Sequence, residues 1–551
     1  MMEGFTPAHL PIVKEYASRM GLVKIVDQAL SCGMKVSPGT ILLGLVMNVL
    51  SGRSPLYRVE EFFRTRDVAL LLGPDITAEM LNDEAIGRVL DRIYEHGTWK
   101  IFSEVCVQAF QSFGVDCSVV HHDTTSVSVW GEYKSDDSLH ITHGFSKDKR
   151  PDLKQFVLSL LCAEGNLPCH GGVLSGNAPD KKTNGNILAE LPRIMASHGE
   201  KDFIYVADSA LATEENLSLM GENIRFITRL PANFSACGLL INEAVASGAW
   251  VDVGQLSHRT VKGKEMCAGY RVHETRVELC GRMYRAVVVH SDAHDRRRQK
   301  RIDRLIEKDA LAVEERAFSL SCKEFFCLPD AKAAGEALKS GDFHEVSRSV
   351  AIRPMYGKGR PCKSRVRPIK DIRFRIATKV EQNEEAIEKL REEAGCFVLL
   401  ASVPAEEKKG IDILRTYKEQ NGIERNFAFL KDPLVVNDVF LKTPRRIEAM
   451  GLVLVLSLLL WRLMERTMRQ KAKEERLALR GWNNTDTLKP TSFMMASKFS
   501  PVFVGLEAGR RFLLAPLDNV QLAYLRALDV HPSIFTEIAP ASGSIRSRAP
   551  S

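Results

Sequence analysis

The sequence has neither a strong charge of one sign nor a compositional bias. Its 76 Lys and Arg face 69 Asp and Glu, and 37 Gly and 23 Pro are spread through 551 residues that are 45% apolar. Those absences exclude collagen-like and disordered classes and leave an ordinary folded chain, long enough for two to four units rather than one core. Nor do the 12 Cys follow a repeating spacing. The nearest pairs, Cys162 with Cys169 and Cys322 with Cys327, lack the two-residue separation of a zinc knuckle, so reduced intracellular thiols are expected. The segment SGNAPDKK misses the G-x4-G-K-[ST] spacing of a phosphate-binding loop, and no nucleotide cofactor is expected. The opening MMEGFTPAHLPIVKEY has no cationic stretch leading into an apolar core, so no secretory signal is expected. The longest apolar run, Ala449 to Leu460, is broken at Arg462; it is too short to cross a bilayer and reads as a buried helix. A cytoplasmic protein without a membrane partner is the resulting expectation.

What is present divides the chain into five stretches. Residues 1–105 carry apolar residues at three- and four-residue spacing and predict a small all-α domain, suited to DNA-end binding or dimerisation. Over 115–233 the period changes. CSVVHHDTTSVSVW, LKQFVLSLLCAEG and LPCHGGVLSG read as strands, NGNILAELPRIMASHG as a helix, and FIYVADSA, a helix from about Thr213 and FITRLP complete the order β, β, β, α, β, α, β. An RNase H-like α/β core requires that order, although many doubly wound folds alternate similarly. Residues 234–395 read as an inserted, mainly β domain with a charged helical stretch from Arg296 to about Glu315. The core resumes over 396–480, and 481–551 is a C-terminal region whose last residues, SGSIRSRAPS, read as disordered.

The charge that exists is clustered. Between Arg353 and Lys379 stand ten Lys or Arg, Lys363, Arg365 and Arg367 among them, against the single acid Asp371. Such a stripe favours a polyanion such as a DNA backbone, the alternative being a solvated basic loop on a β-rich surface.

Three acids are structurally odd where they stand. Asp123 closes a strand written VVHHDTTS and Asp208 one written FIYVADS, and a buried strand end disfavours a carboxylate that has no cation or donor. Glu424 lies on an amphipathic helix beside the apolar stripe of Ile423, Phe427 and Leu430, so it can point inward. Three oxygen ligands suit Mg²⁺. His121, His122 and the His140-x2-His143 pair offer a weaker transition-metal reading, because no Cys or carboxylate cluster completes a shell and neighbouring His on a strand face opposite ways.

With these residues in place, the chain resembles the bacterial insertion-sequence transposases of the DDE class, in the branch with a large β insertion before the last Glu and a Y-x2-R-x3-E-x6-K signature helix. Here the signature reads Tyr417, Gln420, Glu424, Lys431, with Gln420 where the family has Arg. DTTS at Asp123, HGFSKDKRPDLKQF, GNAPDKKT and VADSALATEEN at Asp208 agree with it, over about residues 10–500. The resemblance implies an α/β RNase H-like catalytic core interrupted by a mainly β insertion and preceded by an all-α domain. It implies Asp123, Asp208 and Glu424 as ligands of two Mg²⁺, for which Mn²⁺ can substitute, and Tyr417, Gln420 and Lys431 as contacts to transposon-end DNA, with Lys363, Arg365 and Arg367 on the phosphate track. The implied partners are double-stranded DNA, as terminal inverted repeats and target, and a second copy of the chain in a homodimer. A general RNase H-like nuclease and a catalytically inactive, DNA-binding relative are the other function classes.

Overall fold

The apolar run from Ala449 to Leu460 lies inside a 31-residue helix, Pro444–Glu474, which starts with proline where no intrahelical N–H is needed. The run understates the helix, because Arg462 does not end it: its guanidinium pairs with Glu465 one turn on, at 3.0 Å. By length and composition this helix could cross a bilayer, yet 89% of its most apolar stretch is buried within the protein.

The computed structural model describes residues 3–538 apart from 53, 130, 132, 134–138, 146–149, 262–263, 359–366 and 432–442, and describes only the backbone of 52, 180–182, 257–261, 264–267 and 293–297. The predicted disordered tail falls outside the described residues. Two units form, Met1–Thr228 together with Thr416–Ser551, and Arg229–Arg415.

In the first unit the N-terminal helices and the C-terminal region collect around helix Pro444–Glu474. Helices Pro38–Met47, Asp83–His96, Thr98–Phe113 and Asn519–Leu528 all pack on it. Their ends are set locally. Ser37 Oγ accepts from Thr40 N at 3.3 Å, Asn82 caps Ala85 N at 3.0 Å, and Gly114 ends its helix at φ +57°, where a side chain would be strained. The N-terminal region is not wholly helical. A strand β1 (Glu3–Phe5) pairs antiparallel with Val504–Glu507, because its partner comes from the far end of the chain, beyond the reach of local periodicity. Further ties join the same ends: Tyr16 donates to Leu528 O (2.9 Å), Arg511 forks onto buried Asp67, and Arg446 onto Asp91 (2.8 and 2.7 Å).

The sheet of this unit is built from β2 (Val119–Val129), β3 (Lys154–Ala163), β4 (Leu167–Ser175), β5 (Ile204–Ala207) and β6 (Arg225–Arg229). In space they lie in the order β4-β3-β2-β5-β6. The first three are antiparallel neighbours, whereas β5 and β6 run parallel to β2. Helix Asp180–Ser197 separates β4 from β5 and helix Glu214–Met220 separates β5 from β6, as parallel neighbours require a crossover. All four residues of β5 are buried, which is why its sequence is an unbroken apolar run.

The second unit has an antiparallel sheet of β7 (Val251–Val261), β8 (Lys264–Leu279), β9 (Arg282–Ser291) and β12 (Cys396–Ala401), in the order β12-β9-β8-β7. A separate two-stranded ribbon is made by β10 (His344–Tyr356) and β11 (Ile369–Gln382). Helix matters here as much as strand: the charged stretch from Arg296 lies inside a 30-residue helix, Asp292–Ser321. Its Ile302 and Ile306 pack with Ile387 and Ala394, and its Val313 and Ala317 with Val346 at the ribbon's base. The helix expected from Arg296 to about Glu315 is thus present and extends beyond both of those ends.

In the first unit His9 and His121 are buried and His170 and His198 half-buried, and loss of solvent holds each of these imidazoles below the ordinary value of 6.5, His9 and His121 at about 4 and His170 and His198 in the same direction. Below pH 6.5 the unfolded chain takes up protons that the folded state refuses, so stability present at neutral pH is lost as the pH falls towards 4. His9 and His121 each account for about 3 kcal/mol of that loss. The denaturant midpoint is expected to drop between pH 7 and 4.5, and to drop less in His9→Gln, which keeps a donor for Leu50 O; equal slopes in the two proteins would contradict the assignment.

Candidate active site

Strands β2 and β5 are paired with Val119 beside Ile204, Val120 beside Tyr205 and His121 beside Val206, an offset of 85 residues at every pair. The same number separates Asp123 from Asp208. Carried two residues further, the register sets the two aspartates side by side on neighbouring parallel strands, their side chains on one face of the sheet. Asp208 is the first residue beyond β5, still extended at φ −70° and ψ −177°. Asp123 does not close its strand, since β2 continues to Val129 and the carboxylate projects from mid-strand. Both are half-buried. Asp123 Oδ1 accepts from Thr124 N at 2.7 Å, and Asp208 Oδ1 from Ala210 N at 3.0 Å, capping the turn Ser209–Leu211. From β6, Thr228 Oγ1 donates to Asp208 O at 2.7 Å, so the backbone at Asp208 is held from a third strand.

The other face of β2 is occupied differently. His122 meets Asn184 Oδ1 through Nδ1 (3.0 Å) and Ser159 Oγ through Nε2 (2.9 Å), and stacks on Tyr205. Tyr205 in turn donates to Asn184 Oδ1 at 3.4 Å. Both ring nitrogens of His122 are therefore engaged in a buried network that couples β2 to helix Asp180–Ser197. His121 faces the aspartates' side, with Nε2 3.9 Å from Glu419 Oε2.

The segment ILRTYKEQNGIERNFAFLKD forms two helices, Gly410–Glu419 and Asn421–Leu430, with Gln420 at the break. The second lies over the aspartate face. Asn426 Nδ2 donates to Cys162 Sγ at 3.4 Å, and Cys162 stands opposite His121 on β3. At the near end of the helix, Gln420 Nε2 donates to His122 O, on the residue before Asp123, at 3.4 Å. At about 100° per residue, Asn426 lies over β3, Gln420 about 120° further round over β2, and Glu424 about 40° beyond that. Glu424 is exposed in the first helical turn. Among the described residues, no group of three or more His, Cys, Asp or Glu is drawn close enough to hold a metal ion. The structure aligns Asp123 and Asp208 on neighbouring strands, whereas Glu424, which the sequence allows to point inward, is exposed and completes no such group with them.

Tyr417 and Lys431, at the two ends of this segment, are both half-buried. Of the basic stripe, Lys363 and Arg365 lie outside the described residues, and Arg367 is half-buried just before β11. Farther along the ribbon, Arg353 and Arg375 share Glu324, Arg373 pairs with Asp371 at 2.9 Å and covers the Phe326 ring, and Lys379 pairs with Glu381.

Residues 6–107 match a family described as a domain of unknown function, DUF4277. A comparison with curated proteins finds no match. The matched segment covers the N-terminal helices and ends before β2, so the argument for a site rests on the chain's own geometry.

Several residues that build this site carry no motif. Asn184 and Ser159 look like ordinary helix and strand polar residues. Asn426, Arg462 and Glu465 left one trace, an acid and a base three apart inside the apolar run LLLWRLMER, where neither belongs unless paired. Gln420, expected on DNA, turns one amide N–H to the main chain of β2 at His122 O. Gln420→Ala is expected to cost about 1 kcal/mol of unfolding free energy and to leave DNA affinity unchanged; weakened DNA binding at unchanged stability would return the amide to the DNA surface.

Proposed function

We propose that the chain is a DNA transposase of the DDE class, cutting phosphodiester bonds at transposon ends and joining the released 3′-hydroxyls to target DNA. The observation that carries this reading is the shared register of Asp123 and Asp208, with the helix bearing Glu424 over the same face. The succession of three antiparallel strands, helix, strand, helix and strand supports an RNase H-like core, with the second unit inserted between β6 and the Glu424 helix. The N-terminal match supports it as well, since that domain occurs in transposase-like proteins.

The donor set Asp123, Asp208 and Glu424 fits Mg²⁺, being carboxylate oxygens alone. Asp123, Asp208 and Glu424 would hold two such ions, and Mn²⁺ would serve in their place. Bound there, the ions supply Lewis acidity for activating the attacking hydroxyl and stabilising the leaving oxygen. The protein's own part is to fix the two aspartates by strand pairing, to bring Glu424 over them, and to orient the end phosphates with Lys431 and Tyr417. The basic stripe from Arg353 to Lys379, Lys363, Arg365 and Arg367 among it, tracks the backbone of double-stranded DNA. A homodimer holding two ends, working in the cytoplasm on the nucleoid, completes the proposal.

The test is cleavage of a supercoiled plasmid carrying the gene with its native flanks, in Mg²⁺, by wild type, Asp208→Asn and Glu424→Gln. Discrete breaks at inverted repeats, reduced at least about 1,000-fold in both variants, are expected. Scattered cutting would point to a general nuclease. Binding without cutting by the wild type would point to an inactive, DNA-binding relative.

A further inference from the structure

The helix Asn421–Leu430 is held to the sheet mostly by apolar side chains: Ile423, Phe427, Phe429 and Leu430 are buried. Contacts of that kind are non-directional and leave the rotation of a helix about its axis poorly specified. One residue on the buried side is different. Asn426 is fully buried, and its amide is bonded in three directions. Nδ2 donates to Asn166 O at 2.8 Å and to Cys162 Sγ at 3.4 Å, and Oδ1 accepts from Arg462 Nε at 2.8 Å.

These partners sit on three separate pieces of the first unit. Cys162 belongs to β3, Asn166 to the turn that follows it, and Arg462 to the long helix Pro444–Glu474. Arg462 is itself fixed by Glu465, which is buried and also held by Arg469 at 2.7 Å. A second observation concerns the same contact. Gly422, one turn before Asn426, lies so close to the Asn166 side chain that a methyl group on its Cα would collide with it. The helix is thus pressed onto the turn at Gly422 and keyed by the amide at Asn426. A one-residue rotation of about 100° would break all three bonds of the amide and take from Arg462 Nε and Asn166 O the partner that Asn426 gives them.

We propose that Asn426 is a positioning residue, which fixes the rotation of this helix so that Glu424 faces Asp123 and Asp208. The inference rests on the proposed transposase reading and deepens it. Glu424 lies about 160° round the helix from Asn426, so the key is turned on the buried side and its effect emerges at the exposed carboxylate. The amide touches neither substrate nor metal, and acts only through Glu424. Its neutrality suits the place: an aspartate at 426 would keep the bond from Arg462 but lose the donors for Asn166 O and Cys162 Sγ.

The experiment uses the full chain and compares wild type, Asn426→Ala and Gly422→Ala, each with and without Glu424→Gln. Mn²⁺ affinity is read by calorimetry, DNA-end affinity by fluorescence, and cleavage on the plasmid substrate. In the Glu424 background, both variants are expected to lose about tenfold in Mn²⁺ affinity and about 100-fold in cleavage, with end binding changed by less than about threefold. In the Glu424→Gln background the same substitutions are expected to change Mn²⁺ affinity no further. A purely structural amide would lower affinity equally in both backgrounds, and that result overturns the inference, as does wild-type metal affinity and cleavage in Asn426→Ala. If Asn426→Ala does not fold, Gly422→Ala carries the same comparison, because it crowds the helix against the Asn166 side chain while keeping the amide. A wild type that neither binds Mn²⁺ nor cuts end DNA overturns the transposase reading itself, and this inference with it.

Discussion

Helix Pro444–Glu474 must be covered, and nearly everything else in the first unit is where it is because it supplies that cover. Each of its buried Leu, Val and Met side chains contributes roughly 2 kcal/mol when removed from water, more than a surface ion pair does. N-terminal helices, β4, the C-terminal helix and the Glu424 helix all share this one surface. Polar groups survive inside it only as closed sets, such as Glu465 with Arg462 and Arg469. That constraint turns a packing requirement into a ruler: the helix that buries the core also presents the guanidinium that keys Asn426.

Much of this was legible in the sequence, for identifiable reasons. The strands and helices between Val119 and Arg229 have clean periods, because each is either buried on both faces or buried along one stripe. Helix Asp292–Ser321 was harder, since most of its surface is charged and its apolar residues are spaced for two separate small cores. Strand β1 left no trace at all, as three residues paired with the far end of the chain have no period to detect.

At the candidate site the aspartates could be named from local pattern, whereas the reason they meet is not local. It lies in an offset between β2 and β5 that equals their separation along the chain. Any residues between the strands are compatible with that meeting provided the pairing is kept. Gln420 shows the converse. Its place in a motif suggested a ligand outside the protein, while one N–H of its amide is turned to the main chain of β2. Motif position records what a residue's relatives do, and geometry records what its neighbours allow.

The division of the first unit into two stretches of chain, on either side of Arg229–Arg415, has a consequence for how the protein is made. A ribosome working at about 5–20 residues per second completes the N-terminal helices and all five sheet strands well before the long apolar helix emerges. For roughly ten seconds or more the nascent chain holds half a core with its greasy side open, while the intervening unit is complete enough to fold first. Synthesis order therefore asks the protein to keep an unfinished hydrophobic surface out of trouble until its own last quarter arrives.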